Sequence, residues 1–290
     1  MIDLLKTLRF KHWIKNLIII LPLFFSGKLF YSSIYTWETL IKTIVSFCLS
    51  STMIYIINDL TDIESDQKHP VKSNRPIASG LVSYRKAIIT LIFISLLNCL
   101  VLFFLPLDVT YYILAYIFLN LIYCFGLKNV AILDVSSISL GFVFRIMAGG
   151  EASNTLITHW IIILVFLLMF SIALAKRRDD LVLLENNQGF YRKSQSGYNV
   201  QFIDLAKTIS FTVTLVAYII YSVSTDVINR LGSKYVFVTS LPVFIGVIRY
   251  LQLTIVYKKS GDPVEIALKD KFLIFTLISW ILLFTLILYV

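Results

Sequence analysis

The stretch Thr39–Asp66, TLIKTIVSFCLSSTMIYIINDLTDIESD, decides the fold. Thr39 to Ile57 is apolar and close to the length of about 20 residues that a membrane-crossing helix needs. The same helix is expected to run on through Asn58, Asp59, Asp62, Glu64 and Asp66 until His69-Pro70 stops it. At about 100° per residue, Asn58, Asp59, Asp62 and Asp66 share an arc of about 100°, while Glu64 points the opposite way. Carboxylates gathered on one face at a membrane surface repel one another unless a cation neutralises them. An oxygen-only donor set of this kind suits Mg²⁺, held by a few carboxylates together with substrate phosphates.

Working outward, the whole chain has the composition of a membrane protein. Of 290 residues, 58% are apolar and only 15% charged, and the mean hydropathy is +0.83. A soluble domain carries about 25% charged residues, so a soluble globular chain is excluded, as are disorder, coiled coil and a disulfide scaffold. The three cysteines, Cys48, Cys99 and Cys124, stand singly in apolar runs and read as packing thiols. No cleavable signal peptide is expected at the N-terminus.

Nine spans are expected: Asn16–Tyr35, Thr39–Ile57, Ala87–Leu105, Val109–Phe125, Ala131–Gly150, Leu156–Ala175, Leu205–Ser224, Tyr235–Tyr257 and Phe272–Tyr289. Connections as short as Pro106-Leu107-Asp108 force antiparallel neighbours, so residues 1–290 read as one all-α bundle without a separate soluble domain. With the N-terminus inside, twenty of the 26 Lys and Arg fall on cytoplasmic segments and three (Lys28, Arg230, Lys234) on the other side. That bias orients the chain N-terminus in and C-terminus out. Lys42, Arg145 and Arg249 lie inside spans; Arg145 reads as a structural partner or a lipid-phosphate contact.

Two long cytoplasmic loops, about 58–86 and 176–204, carry most of the polar chemistry and are expected to cap an active site. In the first, Lys68, Lys72, Arg75 and Arg85 follow the acids and suit the same metal-bound anion. Tyr123, Lys128 and Asp134 surround a tight turn at the same end, and Tyr198-Asn199 closes the second loop. These last groups read equally well as interface residues. His12, His69 and His159 form no metal triad, and His69 reads as a cap of the motif helix. Nucleotide-binding glycine loops and zinc spacings are absent from the sequence, and no nucleic acid partner is expected.

NDxxDxxxD at 58–66, followed by HPxKxxRP at 69–76 on the second of nine spans, resembles the UbiA superfamily of intramembrane prenyltransferases. Within it, LRFKHWIKNLIIILPLFFSG (8–27), YCFGLKNVAILD (123–134), GFVFRIMAGGEA (141–152) and ALAKRRDDL (173–181) resemble the decaprenyl-phosphate phosphoribosyltransferase branch. The resemblance covers about residues 8–200 and thins in the last three spans. It implies nine helices around a central cavity open laterally to lipid, with the catalytic end at the cytoplasmic face of a bacterial plasma membrane. The implied reaction is transfer of 5-phosphoribose from phosphoribosyl diphosphate to a polyprenyl phosphate, releasing pyrophosphate, for cell-envelope polysaccharide synthesis. Asn58, Asp59, Asp62 and Asp66 would hold Mg²⁺ and the diphosphate, with Lys15 and Arg75 on phosphate groups. Where other members carry a second Asp-rich motif, this chain has Lys176-Arg177-Arg178-Asp179-Asp180, and Asp180 aligns with the branch's acidic residue. The substrate-binding set is thus Lys15, Asn58, Lys72, Arg75, Tyr123, Lys128, Lys176, Arg177, Asp180 and Tyr198. The alternatives are prenyl transfer to a quinone or haem precursor and, more remotely, an ion-coupled transporter. Against the transporter, the acids sit at one end and the halves show no repeat. A homo-oligomer remains open.

Overall fold

The structure, a computed structural model, describes residues 2–68, 72–185, 193–257 and 263–289. A short α1 (Ile2–Thr7) leads into a 3-10 segment (Phe10–Ile20) and α2 (Leu21–Phe25). α3 (Ile34–Thr61) and α4 (Ile63–Gln67) carry the acidic motif, followed by α5 (Tyr84–Phe103), α6 (Leu107–Phe125), α7 (Leu133–Ala152) and α8 (His159–Glu185). The C-terminal part contains α9 (Val200–Val223), α10 (Thr225–Leu231), α11 (Ser240–Leu251) with a π-helical turn (Gln252–Val256), α12 (Pro263–Lys269) and α13 (Lys271–Tyr289). Among the described residues eight helical stretches are long and apolar enough to cross a membrane, and they mark an integral membrane protein. Their outer faces are apolar: on α5 alone, Ile89, Phe93, Leu96, Leu100 and Phe103 are all exposed. Cys99 is exposed on that helix, whereas Cys48 and Cys124 are buried, so only two of the three thiols pack inside.

Inside the bundle the helices are joined by small and polar residues. Thr39, Thr43, Ser46 and Ser50 line the buried face of α3. Ser46 Oγ donates to Asn98 Oδ1 at 2.7 Å, and Asn98 Nδ2 donates to Ser50 Oγ at 3.0 Å, fastening α5 to α3. With no water to compete, such side-chain bonds and close backbone approach hold membrane helices together.

The expected first span, Asn16–Tyr35, is not a long α-helix. Pro22 near the start of α2 cannot donate an amide hydrogen bond back up the chain, and the eleven residues before α2 wind as a 3-10 helix. One end of this segment lies at Asp59, where Arg9 reaches the carboxylate. The other reaches the far end of α13, where the Tyr289 hydroxyl donates to Phe24 O at 2.9 Å. At about 2.0 Å per 3-10 residue and 1.5 Å per α-residue, Phe10–Phe25 covers about 30 Å, the hydrocarbon thickness of a bilayer.

α7 seats the segment. A Cβ on Gly149 would meet Ile19 O at 2.1 Å, so only glycine permits this approach. One turn away Arg145 Nε donates to Asn16 Oδ1 at 2.7 Å, and its Nη atoms donate to Gly141 O and Tyr116 Oη at 2.8 and 3.1 Å. The Tyr116 and Phe142 rings flank the guanidinium at 4.6 and 5.0 Å. Arg145 is therefore a structural partner inside the bundle.

Two further expectations are corrected. The motif helix breaks at Asp62 (φ −105°, ψ 11°), so the acids sit on two helices, α3 and α4. Lys176–Asp180 is helical, because α8 continues to Glu185. His69 and Pro70, read as cap and stop, lie outside the described residues.

Candidate active site

The break at Asp62 sorts the acidic residues into two sets. Asp59, only 3% exposed, accepts from Arg9 Nη2 at 2.6 and 2.9 Å on its two oxygens. Arg75 Nη1 donates to Asp59 Oδ1 at 3.0 Å and to Asp66 Oδ2 at 2.6 Å. Asp62 instead meets Lys128 Nζ at 2.6 Å, and the same ammonium lies 3.4 Å from Asn58 Oδ1 and 3.3 Å from Thr61 Oγ1. Lys128 comes from the tight turn between α6 and α7, as its expected place near the acids required.

Local structure explains how Arg75 is aimed. Lys72–Asn74 forms one 3-10 turn, Arg75 N donates to Lys72 O at 2.9 Å, and Pro76 fixes the backbone next to it. Gln67 Nε2 donates to Ala78 O at 3.1 Å, tying this turn to α4.

Among the described residues no three His, Cys, Asp or Glu side chains converge on one point, so the fourfold set Asn58, Asp59, Asp62 and Asp66 is not assembled as one cage. Asp59 and Asp66 do converge: their oxygens share one guanidinium nitrogen. Two carboxylates that share one cationic nitrogen are hard donors placed to share a divalent cation, and the pair fits Mg²⁺.

A second charged cluster joins α7, α8 and the segment before α9. Arg177 Nε donates to Asp134 Oδ2 at 2.7 Å and Nη1 to Asp180 Oδ2 at 3.1 Å. Tyr198 donates to Asp134 Oδ1 at 2.7 Å and accepts from Ile132 N at 2.5 Å. Ile132 is a β-branched residue at φ 71°, a conformation that persists only where its surroundings impose it. Burial, then the hydrogen bond to Asp134, pushes the Tyr198 hydroxyl well above its ordinary pKa, so it stays a donor. Tyr123 lies on the last turn of α6, ahead of the turn that carries Lys128. Lys176 is exposed one residue earlier, Lys15 is exposed on the 3-10 segment, and Lys72 is half-buried ahead of Arg75.

Sequence reasoning named Asp134 only as a neighbour and missed Arg9. Asp134 is fully buried and orients Arg177. Arg9 lies fifty positions from its partner, and its left-handed backbone (φ 51°, ψ 46°) has no mark in the sequence.

A cavity of about 840 Å³ lies between α2, α8, α9, α11 and α13. Phe25, Leu164, Tyr218, Val243, Trp280 and Phe284 are among its walls, and none of the acidic motif residues is.

These features define an integral membrane protein with an acidic motif paired to basic side chains, a second charged cluster and an apolar chamber. The sequence profile of the UbiA prenyltransferase family matches residues 19–265, and the chain belongs to this family of transferases. It is 32% identical to the decaprenyl-phosphate phosphoribosyltransferase of Mycolicibacterium smegmatis, over 96% of this chain and 90% of that one. It is 28% identical to the enzyme of the same name from Corynebacterium glutamicum, over 99% and 87%. A solved UbiA homolog from Archaeoglobus fulgidus bound to GPP and Mg²⁺ shares the fold with TM-score 0.69 at 16% identity, covering 99% of this chain and 96% of that one.

Proposed function

We propose that the protein transfers 5-phosphoribose from phosphoribosyl diphosphate to a polyprenyl phosphate, releasing pyrophosphate, as a step toward cell-envelope polysaccharide. The observation that carries this reading is the Arg177 cluster. Where a second acidic set would hold a second metal, this chain presents a guanidinium buttressed by Asp134 and Asp180, suited to a phosphate and a ribose hydroxyl. The names of the two relatives support a phosphoribosyl transfer to a polyprenyl phosphate.

Asp59 and Asp66 would hold Mg²⁺, whose charge would stabilise the departing diphosphate. Arg75, Lys128 and Lys72 would bind phosphate oxygens alongside it, with Lys15, Lys176 and Tyr123 at the rim. No strong protein base is required, because the attacking lipid phosphate is already anionic. Leaving-group stabilisation therefore supplies most of the rate. The apolar chamber suits part of the isoprenoid chain and opens sideways to lipid.

In the membrane, residues 1–290 act as one domain with nine crossings. The 3-10 segment and α2 make the first by their reach of about 30 Å. The basic bias supports a charged pole at the cytoplasmic face of the plasma membrane.

The test is to incubate purified protein with Mg²⁺, polyprenyl phosphate and labelled phosphoribosyl diphosphate. Label should become lipid-extractable. Label transferred only from a prenyl diphosphate to an aromatic acceptor would overturn the reading.

A further inference from the structure

We infer that Arg9 is a diphosphate-binding residue that trades places with the metal at Asp59. The inference rests on the metal–diphosphate part of the proposed function and not on the identity of the donor.

Asp59 carries more cation than it needs. Arg9 Nη2 reaches both of its oxygens, and Arg75 Nη1 reaches one of them a second time. Arg75 has a second anchor in Asp66. Arg9 has Asp59 as its one carboxylate partner among the described residues, with the Tyr55 ring 4.9 Å from its guanidinium carbon. A divalent cation that takes the Asp59 oxygens must compete with a guanidinium for the same lone pairs. Arg9 covers both oxygens and, among the described residues, has no second acid to hold it back, so Arg9 is the group displaced.

Displacement leaves the guanidinium where it is useful. The Arg9 side chain is 20% exposed, compared with 4% for Asp59, so the guanidinium is the more accessible partner of the pair. The diphosphate would bridge the metal on Asp59, and a planar fork beside that metal matches two phosphate oxygens. The backbone supports a specific placement. Arg9 occupies the left-handed region at φ 51°, which a non-glycine residue adopts only under constraint. It stands at the junction of α1 and the 3-10 segment, where Arg145 and Gly149 clamp the chain further along.

The proposal predicts effects of opposite sign on two ligands. Full-length protein in detergent is titrated with Mn²⁺ alone, reading free ion by electron paramagnetic resonance, and then with pyrophosphate at saturating Mn²⁺. Arg9→Gln should bind Mn²⁺ about three- to tenfold more tightly than wild type, because a competing ion pair is gone. It should bind pyrophosphate about tenfold more weakly, because a charge-assisted fork is lost. Arg9→Lys keeps the charge without the fork and should lie between the two on both measures. It carries the test by itself if Arg9→Gln does not elute as a folded species. Both affinities falling together would make Arg9 a structural prop, and neither moving would make it a bystander; each result overturns the inference. Asp59→Asn should abolish the Mn²⁺ signal. If it does not, the metal reading fails on its own account and takes the inference with it.

Discussion

Lys128 donates to Asp62 at 2.6 Å from a turn more than sixty positions down the chain, and this contact separates Asp62 from the other two aspartates of its motif. Asp59 on α3 and Asp66 on α4 both meet guanidinium groups, whereas Asp62, at the break between the two helices, meets an ammonium. The three acids therefore differ in their work.

Asp59→Ala should remove nearly all turnover while leaving the protein folded and inserted. A rate above about a tenth of wild type, a loss under about 1.4 kcal/mol, would contradict a metal role. Asp62→Ala should also cost most of the rate, but its loss should be coupled to Lys128. A double-mutant cycle of Asp62→Ala and Lys128→Ala, read as kcat/KM, should give effects well short of additive. Additive losses would show that the pair does not act as a unit.

Arg177→Ala should raise the KM for phosphoribosyl diphosphate far more than that for polyprenyl phosphate. Burial complicates this variant, because Asp134 is fully buried and would be left an uncompensated charge, costing about 3–5 kcal/mol of stability. Thermal unfolding should show that loss and its partial recovery in Arg177→Ala/Asp134→Ala. Asp180→Asn, at a carboxylate 34% exposed, spares the fold and should still raise the donor KM. Equal effects of Asp180→Asn on both substrates would favour prenyl transfer.

Gly149→Ala should unseat the 3-10 segment, since its methyl group would stand 2.1 Å from Ile19 O. Overpacking of this kind costs about 1–3 kcal/mol or more. The expected result is a lower unfolding temperature together with lost activity. A fully active, equally stable Gly149→Ala protein would show that the seam is looser than described.

Topology can be read by labelling. Cys99 is exposed on α5, so the background needs Cys99→Ser. A cysteine at Ser79 or Ser196 should then be shielded from impermeant reagent in intact cells, and one at Ser233 should be labelled. The reverse pattern would overturn the orientation drawn from the basic residues.

Much of this arrangement was legible because it depends on short-range patterns. Apolar runs placed all eight long helices found among the described residues near their observed positions, and the spacing of Asp59, Asp62 and Asp66 located the charged pole. The break at Asp62 was not legible: it has no Pro or Gly, and it goes with a partner, Lys128, that arrives from another helix pair. The expected first span misled for a similar reason. Hydropathy counts residues and not their rise, and it is Gly149 on α7 that admits the 3-10 backbone. Arg9 gave no periodic signal, because a single cation in a basic N-terminal stretch looks the same as a topology marker.

The chamber has walls from both ends of the chain, with Phe25 on α2 and Phe284 on α13 in ring contact at 5.1 Å. That wall therefore joins positions 259 apart in the sequence, whereas the contacts of Arg9 and Arg75 with Asp59 and Asp66 need only residues 9–75. Anything that kept α13 from docking beside α2 would leave the acidic pole paired and take one wall from the chamber.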